Sequence, residues 1–301
     1  MEHIFEAQQF STADIAQLFE TATRLEHEPS DALKGKILAT LFYEPSTRTR
    51  LSFESAMLKL GGGVISTENA KEFSSATKGE TLEDTIRVVS SYADVIALRH
   101  FEAGAAKQAA AVSMASVINA GDGAGQHPTQ ALLDLYTIQR ERGKIDDIRV
   151  VMMGDLKNGR TVRSLSYLLG KYEDVHIDFV SPPALKIGDD IKEYLDKHGV
   201  SYEEHDDFVA VIDDADVVYQ TRIQSERFSD TAEYQKYKGV YVLTVENTSG
   251  MKEGAVIMHP LPRVDEIDAA LDEYPRAAYF RQAGYGLLVR MALLLLVCGK
   301  V

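Results

Sequence analysis

The sequence predicts an α/β protein with two lobes, each built on a mainly parallel sheet that carries helices on both faces. Short apolar runs alternate with segments whose apolar residues recur at helical spacing, for example Phe53, Ala56, Met57 and Leu60. This alternation is typical of parallel sheets covered by helices. The 301 residues suffice for two domains of ordinary size. A glycine-rich segment, 121–125, precedes a predicted helix and is a plausible break between domains.

Seven apolar runs are predicted strands: Lys36–Phe42, Asp94–Leu98, Ser116–Asn119, Arg149–Met153, His176–Val180, Asp216–Tyr219 and Ala255–Met258. We predict a first domain of residues 1–128 plus 285–301 and a second domain of residues 129–284, with the last helix returning to the first lobe. Ligands of open α/β sheets bind beyond the carboxyl ends of the strands. The loops that follow the strands are therefore where functional residues are expected.

Composition restricts the class of partner and the compartment. The net charge of −14 would repel nucleic acid, so an anionic substrate requires local arginines. The single cysteine, Cys298, excludes a disulfide framework and a cysteine-cluster metal site within the chain. Residues 1–10 lack the features of a signal peptide. The apolar run Leu287–Cys298 contains Arg290 and is shorter than a membrane span, so we expect a buried helix, no membrane partner and a cytoplasmic location.

The segment 44–50, Glu-Pro-Ser-Thr-Arg-Thr-Arg, lies between a predicted strand and a predicted helix. Ser46 and Thr47 are natural N-cap residues, and the N–H groups at a helix start favour a phosphate. The guanidinium groups of Arg48 and Arg50 fit phosphate oxygens in a bidentate manner. The segment therefore indicates an anion site. A well-capped helix with solvated or ion-paired arginines is the alternative. The Walker and dinucleotide glycine patterns are absent.

Three further segments offer groups for a polar substrate. Lys78 lies in a polar segment, 71–80, which is predicted to be an exposed loop ahead of a helix that Thr81 caps. Arg99 follows a predicted strand, and His127 precedes Pro128, which suits the first position of a helix. A neutral histidine can donate a hydrogen bond to a carbonyl oxygen. Taken singly, Lys78 is better explained as a solvated lysine, His127 as a capping histidine and Gln130 as a solvated glutamine.

The second half of the chain has its own candidate anion site. Arg160 and Arg222 each follow a predicted strand, so together they suit the two carboxylates of a dicarboxylate. Pairing with acidic neighbours such as Glu44 or Asp155 is the alternative. The segment 259–263, His-Pro-Leu-Pro-Arg, is stiffened by two prolines and presents backbone carbonyls at fixed positions, which suit an NH₂ group.

These motifs together resemble aspartate carbamoyltransferases, within the aspartate/ornithine carbamoyltransferase superfamily, over nearly the whole chain. The matching blocks are Phe42–Phe53, Lys78–Thr81, Gln126–Gln130, Gly154–Lys157 and His259–Ile267. The first block marks carbamoyltransferases generally. The last favours the aspartate branch, because the ornithine branch typically carries a cysteine where Pro260 stands. Lys78 favours the aspartate branch as well.

The resemblance implies transfer of the carbamoyl group of carbamoyl phosphate to the α-amine of L-aspartate, early in pyrimidine synthesis, with no cofactor or metal. The implied carbamoyl phosphate ligands are Ser46, Thr47, Arg48, Thr49, Arg99, His127, Gln130, Pro260 and Leu261. The implied aspartate ligands are Lys78, Arg160, Arg222 and Gln224. The implied catalytic residues are Arg48, Thr49, Lys78, Arg99 and His127.

The resemblance also implies a homotrimer in which a neighbouring subunit supplies Ser74 and Lys78, and a cis bond between Leu261 and Pro262. Whether a separate regulatory chain binds stays open, as do a carbamoyltransferase for another amine such as ornithine and a non-catalytic relative that binds phosphate. Ornithine would call for a carboxylate where Arg160, Arg222 and Lys78 stand. A non-catalytic relative would be expected to lack some of Arg48, Arg99, His127 or Lys78, and all four are present.

Overall fold

The computed structural model describes residues 1–73, 78–224 and 234–301. The chain divides by its internal contacts into two compact units. Unit 1 consists of Met1–Leu133 with Gly284–Val301, and unit 2 of Asp134–Ala283.

Unit 1 contains a parallel sheet of four strands in the order β2-β1-β3-β4. The strands are β1 (Ile37–Phe42), β2 (Gly63–Glu68), β3 (Val95–His100) and β4 (Ser116–Asp122). Its helices are α1 (Thr12–His27), α2 (Thr47–Lys59), α3 (Ala70–Phe73), α4 (Leu82–Val89) and α5 (Ala105–Val112). Buried apolar residues of β1, β3 and β4, such as Leu41, Leu98 and Val117, form one core cluster with Ile86 of α4 and Ala109 of α5.

Unit 2 contains a parallel sheet of five strands in the order β7-β6-β5-β8-β9. The strands are β5 (Ile148–Met153), β6 (Val175–Val180), β7 (Ser201–His205), β8 (Val217–Gln220) and β9 (Val256–Met258). Helices α7 (Arg160–Leu169) and α8 (Asp189–His198) belong to this unit, whereas α6 (Pro128–Arg142) and α9 (Tyr279–Val297) run through the unit boundaries. The two parallel sheets with helices confirm the predicted fold class.

All seven predicted strands are present, and β2 and β7 were not predicted. Both are edge strands, at the β2 end of one sheet and the β7 end of the other. The β7 sequence, Ser-Tyr-Glu-Glu-His, is mostly polar, and none of its side chains is fully buried. Apolar runs identify strands that are covered on both faces, so an edge strand with polar side chains escapes that criterion.

Local sequence signals account for several helix ends. Thr81 is the N-cap of α4, where its side chain accepts a hydrogen bond from the N–H of Asp84 (3.1 Å), and Pro128 is the first residue of α6, both as predicted. The predicted loop 71–80 is wrong at its start, since Ala70–Phe73 forms the short helix α3. Residues 74–77 of that predicted loop lie outside the described residues.

The apolar C-terminal segment forms part of α9, the helix among the described residues that is long and apolar enough to span a membrane. Half of its most apolar window is buried within the protein. Val289, Ala292 and Leu293 are fully buried, and the guanidinium of Arg290, 3% exposed, lies over the ring of Phe53. The expectation of a buried helix is confirmed, and burial against its own chain explains the apolar composition.

Candidate active site

The first candidate anion site lies where β1 passes into α2. Ser46 is the N-cap residue in an extended conformation, and α2 begins at Thr47. The first N–H groups of any α-helix have no partner within the helix, and the helix dipole favours an anion there. Thr47 and Arg48 are exposed at this end, whereas Thr49 is 6% exposed. The geometry therefore offers backbone donors, hydroxyls and one guanidinium to an anion.

Arg50, the second arginine of the motif, has a structural role. Its Nη1 lies 3.5 Å from Glu54 Oε1 and donates a hydrogen bond to Ser66 Oγ of β2 (3.2 Å). Glu54 Oε1 also accepts hydrogen bonds from the hydroxyls of Thr40 and Ser66. These contacts join α2 to the first two strands of the sheet. The sequence left open that an arginine of this motif pairs with a carboxylate of the protein, and Arg50 does so.

Arg99 lies at the end of β3, next to an irregularity in the ladder with β4. The register pairs Leu98 with Asn119 but His100 with Asp122, so β4 contains one extra residue there. Arg99 Nη1 donates to the carbonyl oxygen of Ala120 within that bulge (3.3 Å), and the Arg99 Nε lies 3.6 Å from Glu44 Oε2. Bulges often redirect side chains near functional sites. The Arg99 side chain is 14% exposed, so its charge is only partly solvated.

His127 and Gln130 are both buried at the start of α6, 4% and 9% exposed. A tight turn precedes the start of α6. In it, Asp122 Oδ1 accepts a hydrogen bond from the N–H of Gln126 (2.8 Å). Gly123 has a φ of +51°, and a Cβ there would overlap the carbonyl oxygen of Phe101, so glycine is required. The ends of β1, β3 and β4 meet at one edge of a parallel sheet, which brings this turn, Arg99 and the start of α2 to the same edge of unit 1.

In unit 2 the candidate residues follow β5, β8 and β9, three neighbouring parallel strands. Arg160 is the first residue of α7, and Arg222 and Gln224 follow β8; all three are half-buried. Gly154, at the end of β5, has a φ of +116°, and a Cβ there would overlap the carbonyl oxygen of Thr221. Glycine therefore allows the two loops to approach closely. The predicted dicarboxylate ligands Arg160 and Arg222 therefore both lie at this edge of unit 2.

A chain of buried hydrogen bonds supports the segment 259–263 after β9. The N–H of His259 donates to Gln282 Oε1 (2.9 Å), Gln282 Nε2 donates to Asp134 Oδ1 (2.6 Å), and the hydroxyl of Tyr219 donates to Asp134 Oδ2 (2.7 Å). Burial and the nearby Asp134 carboxylate raise the pKa of Tyr219 well above its usual value, so its hydroxyl stays a donor. The Leu261–Pro262 bond is cis, as predicted.

Glu266 connects the far end of this loop to His259 through hydrogen bonds. The N–H of Leu261 donates to His259 Nδ1 (2.7 Å), so His259 Nε2 carries the proton and donates to Glu266 Oε1 (2.8 Å). Glu266 Oε2 accepts from the N–H groups of Val264 (3.1 Å) and Asp265 (3.2 Å). Burial acts to raise the pKa of Glu266, but the hydrogen bonds from His259 and the backbone outweigh it and hold the pKa below its usual 4.5.

We expect Glu266→Ala to lower the free energy of unfolding by about 3 kcal/mol, because buried donors lose a charged acceptor. Glu266→Gln should also destabilise, since its NH₂ group would face the backbone donors. The folded-state pKa is depressed, so this stabilisation exists above the unfolded pKa and is lost as pH falls through the folded pKa. Urea unfolding at pH 7 and at acid pH measures both effects. The matched control is Glu273→Ala, an exposed carboxylate expected to change stability by less than about 0.5 kcal/mol.

Sequence reasoning placed the ligand candidates but missed the residues that hold them. Glu266, Gln282, Asp134 and Asp122 support the loops and were not predicted as site residues. Among these, Glu266 carries a signal in the sequence, because it lies in the block His259–Ile267 that resembles the family; the others act from distant segments. Lys78 is exposed, in unit 1. Ser74 lies outside the described residues.

Two family models match this chain. The carbamoyl-phosphate binding domain of aspartate/ornithine carbamoyltransferases matches residues 2–140, and their aspartate/ornithine binding domain matches residues 146–297. The chain belongs to the aspartate/ornithine carbamoyltransferase family. The two models together cover the segments in which both candidate sites lie.

Individual members of the carbamoyltransferase family are similar over the whole chain. Aspartate carbamoyltransferase 3, chloroplastic, of Pisum sativum is 59% identical over 303 residues, which are 99% of this chain and 78% of that protein. The aspartate carbamoyltransferase catalytic subunit of Methanocaldococcus jannaschii is 51% identical over 98% of this chain and 97% of its own.

Solved structures of this carbamoyltransferase family share the fold. The catalytic subunit of M. jannaschii aspartate transcarbamoylase superposes with a TM-score of 0.92 at 50% identity, covering 100% of this chain and 99% of that chain. The Trypanosoma cruzi aspartate transcarbamoylase, solved in complex with carbamoyl phosphate and aspartate, gives a TM-score of 0.92 at 42% identity, covering 97% and 95%.

Proposed function

We propose that this chain transfers the carbamoyl group of carbamoyl phosphate to the α-amine of L-aspartate, giving N-carbamoyl-L-aspartate and phosphate, an early step of de novo pyrimidine synthesis. The observation that carries the proposal is the full-length similarity to aspartate transcarbamoylases, one of which was solved with both substrates. Formation of carbamoyl-aspartate from the two substrates tests it directly, with ornithine as the competing acceptor. Release of phosphate without a carbamoylated product would contradict it.

In the proposed mechanism the lone pair of the neutral aspartate amine attacks the carbamoyl carbon and forms a C–N bond. The carbonyl oxygen becomes an oxyanion, which Arg99, His127 and Thr49 stabilise as donors. The tetrahedral intermediate then breaks its C–O bond to phosphate, and the leaving phosphate takes the bonding pair and the amine proton. Phosphate thus serves as the base. Orientation of two bound reactants supplies much of the remaining acceleration.

The proposed binding roles follow the edges of the two sheets. In unit 1 the phosphate binds the start of α2, through Ser46, Thr47, Arg48 and Thr49. The carbamoyl NH₂ group donates hydrogen bonds to the side-chain oxygen of Gln130 and to the carbonyl oxygens of Pro260 and Leu261. The aspartate carboxylates bind the ligands Lys78, Arg160, Arg222 and Gln224. This set contains three cations and no carboxylate, which supports a dicarboxylate acceptor and opposes a cationic one such as ornithine.

We propose further that the chain acts as a homotrimer in which Ser74 and Lys78 complete a neighbour's site. Exposed apolar side chains of unit 1 support an interface between copies. Leu51 and Leu58 are 50% and 60% exposed and lie two turns apart on α2, and Ile65 on the adjacent edge strand is 41% exposed.

Mixing Arg48→Ala and Lys78→Ala subunits tests the shared site. Each variant alone should be nearly inactive, because every site lacks one of the two cations. After dissociation and reassociation of an equal mixture, about one quarter of the sites should combine an intact Arg48 with a neighbour's intact Lys78, restoring about one quarter of the wild-type activity. Mass measurement of the assembly gives the subunit number. A mixture with no more activity than its components would show that each chain supplies its own lysine.

We propose a cytoplasmic location, which the single cysteine supports, because disulfide frameworks belong to oxidising compartments. The pea relatives are named as chloroplastic. Fractionation of cells that express the tagged chain separates the two locations.

A further inference from the structure

A polar cluster lies on one face of the unit 2 sheet, at its β7 edge and apart from the loops described above. His176 and Asp178 come from β6, and Glu203 and His205 come from β7. The register pairs His176 with Ser201 and Asp178 with Glu203. Side chains two residues apart on a strand point to the same face. The four residues, which we call the edge cluster, therefore lie together.

Asp178 is the centre of the edge cluster and is fully buried. Its Oδ1 lies 2.9 Å from His205 Nε2 and 3.3 Å from His176 Nε2. Glu203 Oε2 lies 3.6 Å from His205 Nε2. The ligand atoms of Asp178, Glu203 and His205 are all within 4.8 Å of one another. In a tetrahedral site with metal–ligand distances of about 2.1 Å, ligand atoms are about 3.4 Å apart, so the spacing suits one metal ion.

The charge of the edge cluster also suits a divalent cation. Arg149 holds Asp178 in a bidentate pair, with Nε 2.6 Å from Oδ2 and Nη2 3.0 Å from Oδ1. The hydrogen bond to Asp178 raises the pKa of Arg149, and the charges of Asp214 and Glu203 add to this effect. The two carboxylates of the edge cluster and the one guanidinium leave a formal charge of −1 when the histidines are neutral, and Asp214 nearby adds further negative charge. Arg149 thus orients the central carboxylate without neutralising the group.

One imidazole of the edge cluster, that of His176, is held as the rings of metal ligands commonly are, and the proposed ligand His205 presents its Nε2 to Asp178. Ser201 Oγ lies 2.9 Å from His176 Nδ1, a contact of the kind that fixes a ligand ring, and it leaves Nε2 directed at Asp178. The side chains of His205 and Glu203 are 22% and 63% exposed, so an ion can reach them from solvent. Imidazole with carboxylate favours zinc, cobalt or nickel over magnesium or calcium.

We propose that Asp178, Glu203 and His205 bind one divalent transition-metal ion, with His176 beside them and water in the open position. Such an ion would join the edge strand β7 to β6. Charged side chains on an edge strand also discourage pairing with other chains, and that role needs no metal. Direct measurement of binding distinguishes the two.

Titration of the chelator-treated full-length protein with Co²⁺ or Zn²⁺, followed by calorimetry and by the visible absorption of Co²⁺, tests the site. We expect one ion per chain, a tetrahedral Co²⁺ spectrum and no binding of Mg²⁺ under the same conditions. His205→Ala should weaken binding at least about tenfold, as should Glu203→Gln, whose exposed position spares the fold. The matched control is His27→Ala, an exposed histidine whose Nε2 lies 3.8 Å from Glu26 Oε2.

Binding with equal affinity in wild type, His205→Ala and Glu203→Gln would overturn the proposal, as would less than one ion per chain at saturation. A loss of binding in His27→Ala equal to that in His205→Ala would do the same, because it would show that isolated histidines account for the signal. None of these measurements depends on carbamoyl transfer.

Discussion

Replacing Arg99 by alanine is expected to lower kcat by about 10³-fold. Arg99 lies at the end of β3, only 14% exposed, with its guanidinium anchored on the Ala120 carbonyl and beside Glu44. A donor held in this way needs no reorganisation when negative charge develops on the carbamoyl oxygen. Its removal should therefore raise the barrier to chemistry more than it weakens substrate binding.

Steady-state kinetics with both substrates varied measure this effect. Arg99→Lys should recover part of kcat, since it keeps the charge but loses the planar fork. Arg87→Ala is the matched control, because Arg87 is 59% exposed on α4 and pairs only at the surface with Asp84 (3.0 Å). An Arg99→Ala enzyme with unchanged kcat and a raised KM for carbamoyl phosphate would show that Arg99 binds the ground state alone.

The central elements of this fold were predictable from sequence because they are covered on both faces. β5 and β6 are apolar runs of the length of a strand, and their parallel pairing follows from the helix that separates them. β2 and β7 were missed because their side chains are largely polar or exposed, whereas the other two edge strands, β4 and β9, have buried apolar runs and were predicted. Helix starts at Thr47, Leu82 and Pro128 were predictable, since capping residues and proline act locally.

The residues of the candidate site likewise divide into those that local sequence predicts and those that it does not. The proposed substrate ligands, such as Arg48 and His127, follow strand ends in recognisable local motifs. Their supports do not: Gln282 and Asp134 are 148 residues apart in sequence and meet only in the fold. The sequence also left open whether Arg50 binds an anion or a carboxylate, and only the contact with Glu54 decided it. Long-range hydrogen bonds depend on tertiary structure, which local patterns do not encode.

The choice of acceptor is expected to show the largest effect of all. Aspartate presents a β-carboxylate to the proposed ligands Arg160, Arg222 and Lys78, whereas ornithine presents an ammonium group to the same cations. Repulsion and the loss of a bidentate ion pair should together lower kcat/KM for ornithine by about 10⁴-fold or more.

Arg222→Ala should raise KM for aspartate and leave KM for carbamoyl phosphate nearly unchanged, which assigns the discrimination to unit 2.

The most direct test of the account is a colorimetric assay of carbamoylated product, with carbamoyl phosphate and either aspartate or ornithine supplied in parallel at equal concentration. Carbamoyl-aspartate should accumulate in step with phosphate, with no detectable citrulline. Product from ornithine at a comparable rate, or from neither acceptor, would contradict the assignment of a dicarboxylate site to the loops after β5 and β8.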